Sequence, residues 1–331
     1  MSTDNNDQRP VGYVRLGNSG LKVSKIILGC MSYGSPEWQD WVLGEKEGFE
    51  HIKFAFDNGI NTFDTANAYS NGLSEITLGK ALKQFSIPRE EVVILTKARN
   101  LHSASFVRDP DAKGYVNRHG LSRKHIFDSI KASLERLQVD YVDVLQCHRF
   151  DPNTPIEETM HALNDVVKAG YARYIGMSSC YAWQCYAITN NLTPFISMQN
   201  HHSLLYREEE REMLPLLKHL GVGCIPWSPL ARGMLTRSWN ESTKRSEVDT
   251  MYKTSDASKS IVDRVEELAN KKGVKMAQIA LAWSAKKVTA PIVGTTKLEN
   301  LKEMIEALKI ELTDEDLNFL EEPYKPNPVL W

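Results

Sequence analysis

Long apolar runs are missing from this sequence, and so is any excess of charge. No stretch of about 18 uninterrupted apolar residues occurs, which excludes a transmembrane helix. Lys and Arg number 40 against 42 Asp and Glu, a formal net charge of −2, so the chain has no electrostatic reason to seek nucleic acid or anionic lipid. Charge near zero permits self-association without specifying it. Cysteine is scarce: Cys30, Cys147, Cys180, Cys185 and Cys224 are five in 331 residues, form no CxxC pair, and each sits in or beside an apolar run. Buried free thiols are therefore expected, rather than disulfides or metal ligands. The opening MSTDNNDQRP has neither a charged segment followed by an apolar one nor an Arg-rich transit pattern, so a cytoplasmic protein with residues 1–10 flexible is expected. There is no internal repeat, low-complexity tract or linker, and one domain over residues 1–331 is the expectation. No Gly-x-Gly-x-x-Gly follows an early strand. The nearest candidate, Gly221-Val-Gly223, leads into a strand and has Pro226 where the last glycine would fall, which disfavours a Rossmann dehydrogenase.

What is present is an alternation. Eight short runs are rich in Val, Ile, Leu or aromatics: Ile26–Cys30, Asn61–Thr65, Val92–Lys97, Tyr141–His148, Tyr174–Ser179, Ile196–Gln199, Gly223–Ser228 and Pro291–Gly294. Runs apolar on both faces suit parallel strands covered on both sides. Between them lie amphipathic helices, one striped by Ile126, Ile130, Ser133, Leu134 and Leu137, another by Thr159, Leu163, Val166 and Val167. Ser122 is placed as an N-cap, Gly170 stands just past a helix end, and Gly221 closes a helix over Glu208–Leu220. Eight strands alternating with helices predict an α/β fold of the (β/α)8 TIM-barrel type, with a doubly wound open sheet as the alternative. Tyr13–Arg15 and Leu21–Val23, around Gly17-Asn-Ser-Gly20, read as an N-terminal β-hairpin that plugs the barrel's N-terminal end. Two long polar segments, Arg99–Gly120 and Ala231–Lys259, follow barrel strands and should overhang the C-terminal face, where barrel enzymes keep their sites.

That geometry can be tested against the polar residues at the strand ends. The second strand ends in Asp64, with Tyr69 shortly after; the third ends in Lys97; the fourth ends in His148. Taken singly, these are ordinary residues: a loop cap, a packed phenol, a solvated strand end, a core histidine. Together they deliver a carboxylate, a phenol, an ammonium and an imidazole to one rim. A Lys⁺ beside a tyrosine favours phenolate and should lower its pKa from about 10 toward the working range, while a carboxylate holds the Lys charged. The imidazole can donate to the same substrate oxygen as negative charge develops there. Such a site adds a proton to a carbonyl oxygen as hydride reaches carbon, and hydride must come from a cofactor.

These residues, in the segment Asp64-Thr-Ala-Asn-Ala-Tyr-Ser-Asn-Gly-Leu-Ser-Glu-Ile-Thr-Leu-Gly-Lys80, resemble the signature of the aldo-keto reductases, and the likeness runs from the hairpin to Leu317. Cys147-His-Arg-Phe-Asp-Pro152, Met177-Ser-Ser-Cys-Tyr-Ala-Trp183 and Trp227-Ser-Pro-Leu-Ala-Arg-Gly233 are similar to the fungal aryl-alcohol-dehydrogenase-like branch. The resemblance implies reversible reduction of aldehydes or ketones to alcohols with NADP(H) and without metal. It makes Asp64, Tyr69, Lys97 and His148 the catalytic tetrad, with Tyr69 the general acid. It places Ser178, Ser179 and Gln199 at the nicotinamide carboxamide, Trp227 on the nicotinamide ring, and Ser228, Leu230 and Gly233 along the diphosphate. It places Gly294, Thr295, Thr296, Lys297, Asn300 and Glu303 around the adenosine 2′-phosphate.

Tyr33, Trp38, Trp41 and Tyr115 lie on loops after the first and third strands and are candidates for an aromatic wall around an apolar or aromatic aldehyde, with surface packing the alternative. The pair His201-His202 lacks a nearby third ligand and reads as a strand-end hydrogen-bonding pair. A cofactor-sensing regulatory subunit with slow turnover and a metal-dependent barrel hydrolase are the competing functions. The first wants a long partner-binding extension, and Lys97 beside Asp64 suits the second poorly.

Overall fold

Strands buried on both faces need covering on both sides, and the chain meets that need by closing its sheet on itself. The computed structural model describes residues 10–99, 111, 113–179, 184–241 and 255–329, with the main chain alone at 184–185. Strands β3 (Ile27–Gly29), β4 (Thr62–Asp64), β5 (Val93–Ala98), β6 (Val142–Cys147), β7 (Ala172–Met177), β8 (Phe195–Met198), β9 (Gly223–Cys224) and β10 (Ile292–Val293) form one parallel sheet, ordered β10-β3-β4-β5-β6-β7-β8-β9. The Ile292 amide donates to Pro226 O at 2.9 Å, joining the two ends of that order, so the sheet is a barrel. All eight expected strands are present, and the open doubly wound alternative is set aside.

Helices α1 (Glu45–Asp57), α2 (Leu73–Gln84), α3 (Arg123–Leu137), α4 (Ile156–Lys168), α5 (Gln184–Thr189), α6 (Met213–Leu220), α7 (Asp256–Lys272), α8 (Met276–Lys287), α9 (Leu298–Ala307) and α10 (Asp314–Glu321) follow. Both expected stripes face inward: Ile126, Ile130, Ser133, Leu134 and Leu137 are buried on α3, and Thr159, Leu163 and Val166 on α4. Ser122 Oγ accepts from the His125 amide at 3.2 Å, the expected N-cap. Gly221 ends α6 at φ +68. The helix expected over Glu208–Leu220 is instead a single 3-10 turn at Glu208–Glu210, followed by α6. Two causes divide it. Glu208, Glu209 and Glu210 are drawn to Tyr324, Asn200 and His202 respectively, and Pro215 is tolerated only in a helix's first turn. Among the described residues, no helix is long and apolar enough to cross a membrane. Cys30, Cys147 and Cys224 are buried free thiols; the side chains of Cys180 and Cys185 lie outside the described residues.

The hairpin of β1 (Tyr13–Arg15) and β2 (Lys22–Ser24) pairs antiparallel through Val14 and Val23 and closes the barrel's N-terminal end. Its turn docks through the Asn18 amide on Gly221 O at 2.7 Å. Leu16 and Val23, both fully buried, join Val93, Leu95, Val144, Ile196, Ile225 and Ile292 in the barrel interior. Strand alternation then dictates what caps this apolar column. Val93 and Leu95 point inward, so Lys97 does also; Val144 points inward, so Gln146 and His148 follow. The interior is apolar below and polar at the C-terminal rim.

Candidate active site

Lys97 is fully buried, which an ammonium tolerates only when its donors are used. Its Nζ donates to Asp64 Oδ2 at 2.6 Å, Thr65 O at 2.8 Å and Tyr69 Oη at 3.3 Å. The other carboxylate oxygen of Asp64 accepts from Gln199 Nε2 at 2.8 Å and Gln146 Nε2 at 3.1 Å. Tyr69 opens a 3-10 turn after β4 in which Ser70 (φ +46) and Asn71 (φ +52) take left-handed backbone. The His148 ring meets the Tyr69 ring edge-on, centroids 5.8 Å apart at 85°. The four rim residues named from the sequence are therefore one cluster.

Its electrostatics differ from the expectation in one respect. Burial raises the Tyr69 pKa above the ordinary 10.0, and the lowering by Lys97 and Arg149 does not overcome it. The phenol keeps its proton: the barrel's low-dielectric top outweighs the ammonium. Burial alone would lower the Lys97 pKa, but Asp64 leads a set of partners that raise it above 10.5. The His148 pKa falls well below 6.5, through burial and then Lys97, Arg149 and Arg99, so the imidazole is neutral.

Asp64, Tyr69 and His148, with Lys97 buried beneath them, form the floor of a cleft of ≈ 1590 Å³ across the C-terminal face. Asp64, Tyr69, His148, Gln199, Trp227, Ser228, Leu230, Gly233, Gly294, Thr295, Thr296 and Asn300 line it, and so do Trp38 and Trp41. Trp227 lies on His201 (centroids 4.2 Å, 9°), which lies on Tyr206 (4.5 Å, 12°), so the indole is held flat by a stack of three rings. His201 thus serves as a packing residue, and His202 Nε2 lies 2.9 Å from Glu210 Oε1, as the strand-end reading expected. The turn after β9 carries left-handed backbone at Ser228 (φ +55) and at the consecutive residues Ala231 (φ +49), Arg232 (φ +54) and Gly233 (φ +97). Thr295 Oγ1 accepts from the Lys297 amide at 3.2 Å and Asn300 Nδ2 at 3.2 Å beside the N-terminus of α9. Ser178 lies under the floor, donating to Gln199 O at 2.7 Å. Ser179 is held at φ +45 by its amide's bond to Asn200 Oδ1 at 3.1 Å, and among the described residues its buried Oγ has no partner.

Besides Lys97, Ser178 and Ser179, four expected site residues stand apart from the cleft wall. Tyr33 is fully buried, its ring packed on His51 (5.3 Å), because the chain after β3 folds back at Gly34 and turns the phenol into the core. Tyr115 lies under the Arg118 guanidinium, 4.9 Å from the ring centroid, while Val116 and Asn117 beside it line the cleft. Glu303 pairs with Lys275, the residue preceding α8, which draws its carboxylate aside. Lys297, the N-cap position of α9, extends into solvent at the cleft's edge. Of Met177–Trp183, residues 180–183 lie outside the described residues, as do 100–110, 112 and 242–254 of the two long segments.

Several site residues had no counterpart in the sequence reading. Gln146 was discoverable, since it stands two positions before His148 on the inward face of β6. Arg149 was not: it follows the strand, where alternation lapses, and its Nη1 turns to His148 O at 2.9 Å and Ser178 Oγ at 3.0 Å. Arg99 and Arg232 also line the cleft from loops.

A barrel whose C-terminal rim gathers Asp, Tyr, Lys and His under a long cleft defines a cofactor-dependent carbonyl-reducing enzyme class. The model of the aldo/keto reductase family matches residues 25–325, and the chain belongs to that family. Versiconal hemiacetal acetate reductase of Aspergillus parasiticus is similar to it, 51% identical over 96% of this chain and 98% of its own. A Schizosaccharomyces pombe protein provisionally named an aryl-alcohol dehydrogenase is 50% identical, with 97% of each chain covered. An Alternaria alternata aldo-keto reductase is 47% identical over 96% of this chain and 92% of its own. The protein is thus an oxidoreductase acting on carbonyl compounds, in a family that uses NAD(P)H.

Proposed function

We propose that the protein reduces aldehydes, aromatic or otherwise apolar, to alcohols with NADPH, and that Tyr69 delivers the proton. The observation that carries this reading is Lys97, at hydrogen-bond distance from both Asp64 and Tyr69 on the cleft floor, with the His148 ring against Tyr69. A substrate carbonyl above Tyr69 meets a protonated phenol, made ready by burial, and a neutral imidazole that can donate to the same oxygen. As C=O becomes an alcohol, Tyr69 Oη gives up its proton and Lys97 Nζ stabilises the phenolate left behind. NADPH, when bound, supplies the hydride.

The chain's own residues fit that cofactor. Among the described residues the buried Ser179 Oγ lacks a partner, and Gln199 faces the cleft, which suits a carboxamide; the flat, stacked Trp227 suits an aromatic ring. The left-handed turn Ser228–Gly233 with Arg232 suits a diphosphate. Thr295, Thr296, Asn300 and the α9 N-terminus, with Lys297 at its cap, suit a further phosphate, which favours NADPH over NADH. Trp38, 6.4 Å from the Tyr69 ring, and Trp41 supply an aromatic wall.

The test is aldehyde-dependent loss of reduced-cofactor absorbance with NADPH and NADH, in the native protein and in Tyr69→Phe. Turnover favouring NADPH is expected, lost by a factor of roughly 10²–10⁴ in the variant with cofactor binding kept. Retained turnover in Tyr69→Phe refutes the assigned donor. Equal use of NADH refutes the cofactor preference.

A further inference from the structure

We propose that Asn200, held in one orientation by Glu209, is a positioning residue for the nicotinamide end of the cofactor: from behind the cleft wall it fixes both Ser179 and Trp227, and so governs cofactor affinity. This rests on the reading that Ser179 and Trp227 meet the nicotinamide carboxamide and ring.

Asn200 stands just past the end of β8 and is buried. Its side-chain Oδ1 accepts from the Ser179 amide at 3.1 Å, past β7, and its backbone carbonyl accepts from the Trp227 amide at 3.0 Å, past β9. One residue thus ties together three adjacent strand ends, two of which carry the groups assigned to the nicotinamide. Ser179 sits at φ +45, a backbone region a serine enters at a cost, so the acceptor that meets its amide there is what keeps it in place. An asparagine amide has a donor end and an acceptor end, and only one orientation answers the Ser179 N–H. Glu209 selects it, because Asn200 Nδ2 donates to Glu209 Oε2, a carboxylate oxygen. A flipped amide would set its oxygen against the carboxylate and its NH2 against the Ser179 N–H, two repulsive contacts in a buried place.

The backbone around Glu209 is itself pinned. Glu208 Oε1 accepts from Tyr324 Oη at 2.7 Å and from the Asn327 amide at 2.8 Å. Glu210 accepts from Arg207 Nη2 at 2.7 Å and faces His202 Nε2 at 2.9 Å. Three consecutive glutamates therefore reach three different places, and the middle one is aimed at Asn200 from a turn anchored on either side. The described cleft lining includes neither Asn200 nor Glu209, so their effect on the cofactor passes through Ser179 and Trp227.

The experiment titrates the native protein and its variants with NADP⁺ and with adenosine 2′,5′-bisphosphate, which lacks the nicotinamide, by quenching of tryptophan fluorescence. Asn200→Leu leaves the Ser179 amide without its acceptor, and NADP⁺ should bind about tenfold more weakly with the bisphosphate unchanged. In turnover, the same variant should raise KM for NADPH and leave KM for the aldehyde as it was. Asn200→Asp sets two carboxylates together and should weaken NADP⁺ at about pH 8. Near about pH 5.5 the pair shares a proton, the protonated oxygen takes the donor's part, and the loss relative to the native protein should shrink. Adding Glu209→Gln to Asn200→Asp exchanges donor and acceptor while keeping the bond, so affinity should return at both pH values. Should Asn200→Leu fail to fold, Asn200→Asp and the double variant carry the test. Native-like NADP⁺ binding in the single variants, or a double variant no better than Asn200→Asp, overturns the positioning role. An equal loss of the bisphosphate in the folded variants shows damage beyond the nicotinamide end and overturns it too. If the native protein binds NADP⁺ no more tightly than the bisphosphate, the nicotinamide reading itself fails, and this inference with it.

Discussion

Replacing Lys97 with methionine deletes a fully buried ammonium while keeping much of the volume of its stem. The partners left behind set the cost. Asp64 loses the donor 2.6 Å from Oδ2 and keeps Gln199 and Gln146 on Oδ1, so a buried carboxylate remains half-compensated. Breaking a buried pair in this way costs about 3–5 kcal/mol. At roughly 2.1 cal/mol/K per residue, a chain of 331 residues has an unfolding entropy near 0.7 kcal/mol/K, so Tm should fall by about 4–7 °C. The Lys97 pKa is raised on folding, so this contribution is fully present below pH 10.5 and fades as pH climbs through the folded value. At neutral pH the whole loss is therefore visible. Asp64→Asn combined with Lys97→Met should recover part of it, because the uncompensated charge is gone. Activity should behave differently: both Lys97→Met forms lose the cation 3.3 Å from Tyr69 Oη and stay slow. Differential scanning calorimetry beside NADPH-oxidation kinetics separates the two effects. A single variant with unchanged Tm, or a double variant with restored turnover, refutes the reasoning.

The raised Tyr69 pKa and depressed His148 pKa predict that kcat/KM for reduction is flat from about pH 6 to about pH 9, then falls as Tyr69 loses its proton. A limb near pH 7 contradicts both directions. Gly17→Ala should lower stability by more than about 2 kcal/mol, or about 3 °C in Tm. Its Cβ would stand 2.5 Å from Gly221 O, at φ +59, yet the folded fraction should keep native kinetics because the hairpin is at the barrel's far end. Trp38→Ala should raise KM for aromatic aldehydes by about tenfold with NADPH affinity unchanged. A matching rise for short aliphatic aldehydes would show that Trp38 does not act as an aromatic wall. Lys297→Ala should weaken NADPH by about tenfold and NADH little, read by fluorescence titration; equal effects remove the phosphate role.

The barrel was legible because its strands are buried on both faces and their period is two. The apolar column Val93–Leu95 points to Lys97, and Val144 points through Gln146 to His148, so the strands name their own polar cap. Where alternation ends, local sequence loses direction. Tyr33 and Trp38 both follow β3, yet one is core and the other cleft. What separates them is the fold-back at Gly34, where a Cβ would stand 2.4 Å from Ser70, a residue close only in space. Glu303 is three positions from Asn300 on α9 and was grouped with it; Lys275, in the segment before α8, decides otherwise.

Arg149 is the sharpest case, because its neighbours in sequence carry no information about where it turns. Ser178, which orients it, belongs to the end of the next strand, and Arg99, which repels it, to the end of the previous one. Three adjacent strand ends must close before the pair of guanidinium groups exists at all. The Asp64–Tyr69–Lys97–His148 cluster depends on strand period and can be read from the chain, whereas the cationic lining of the cleft depends on loops meeting after closure. Substitutions at Arg99 and Arg149 should accordingly change the charge of the cleft wall while the Asp64–Lys97–Tyr69 array beneath keeps its geometry.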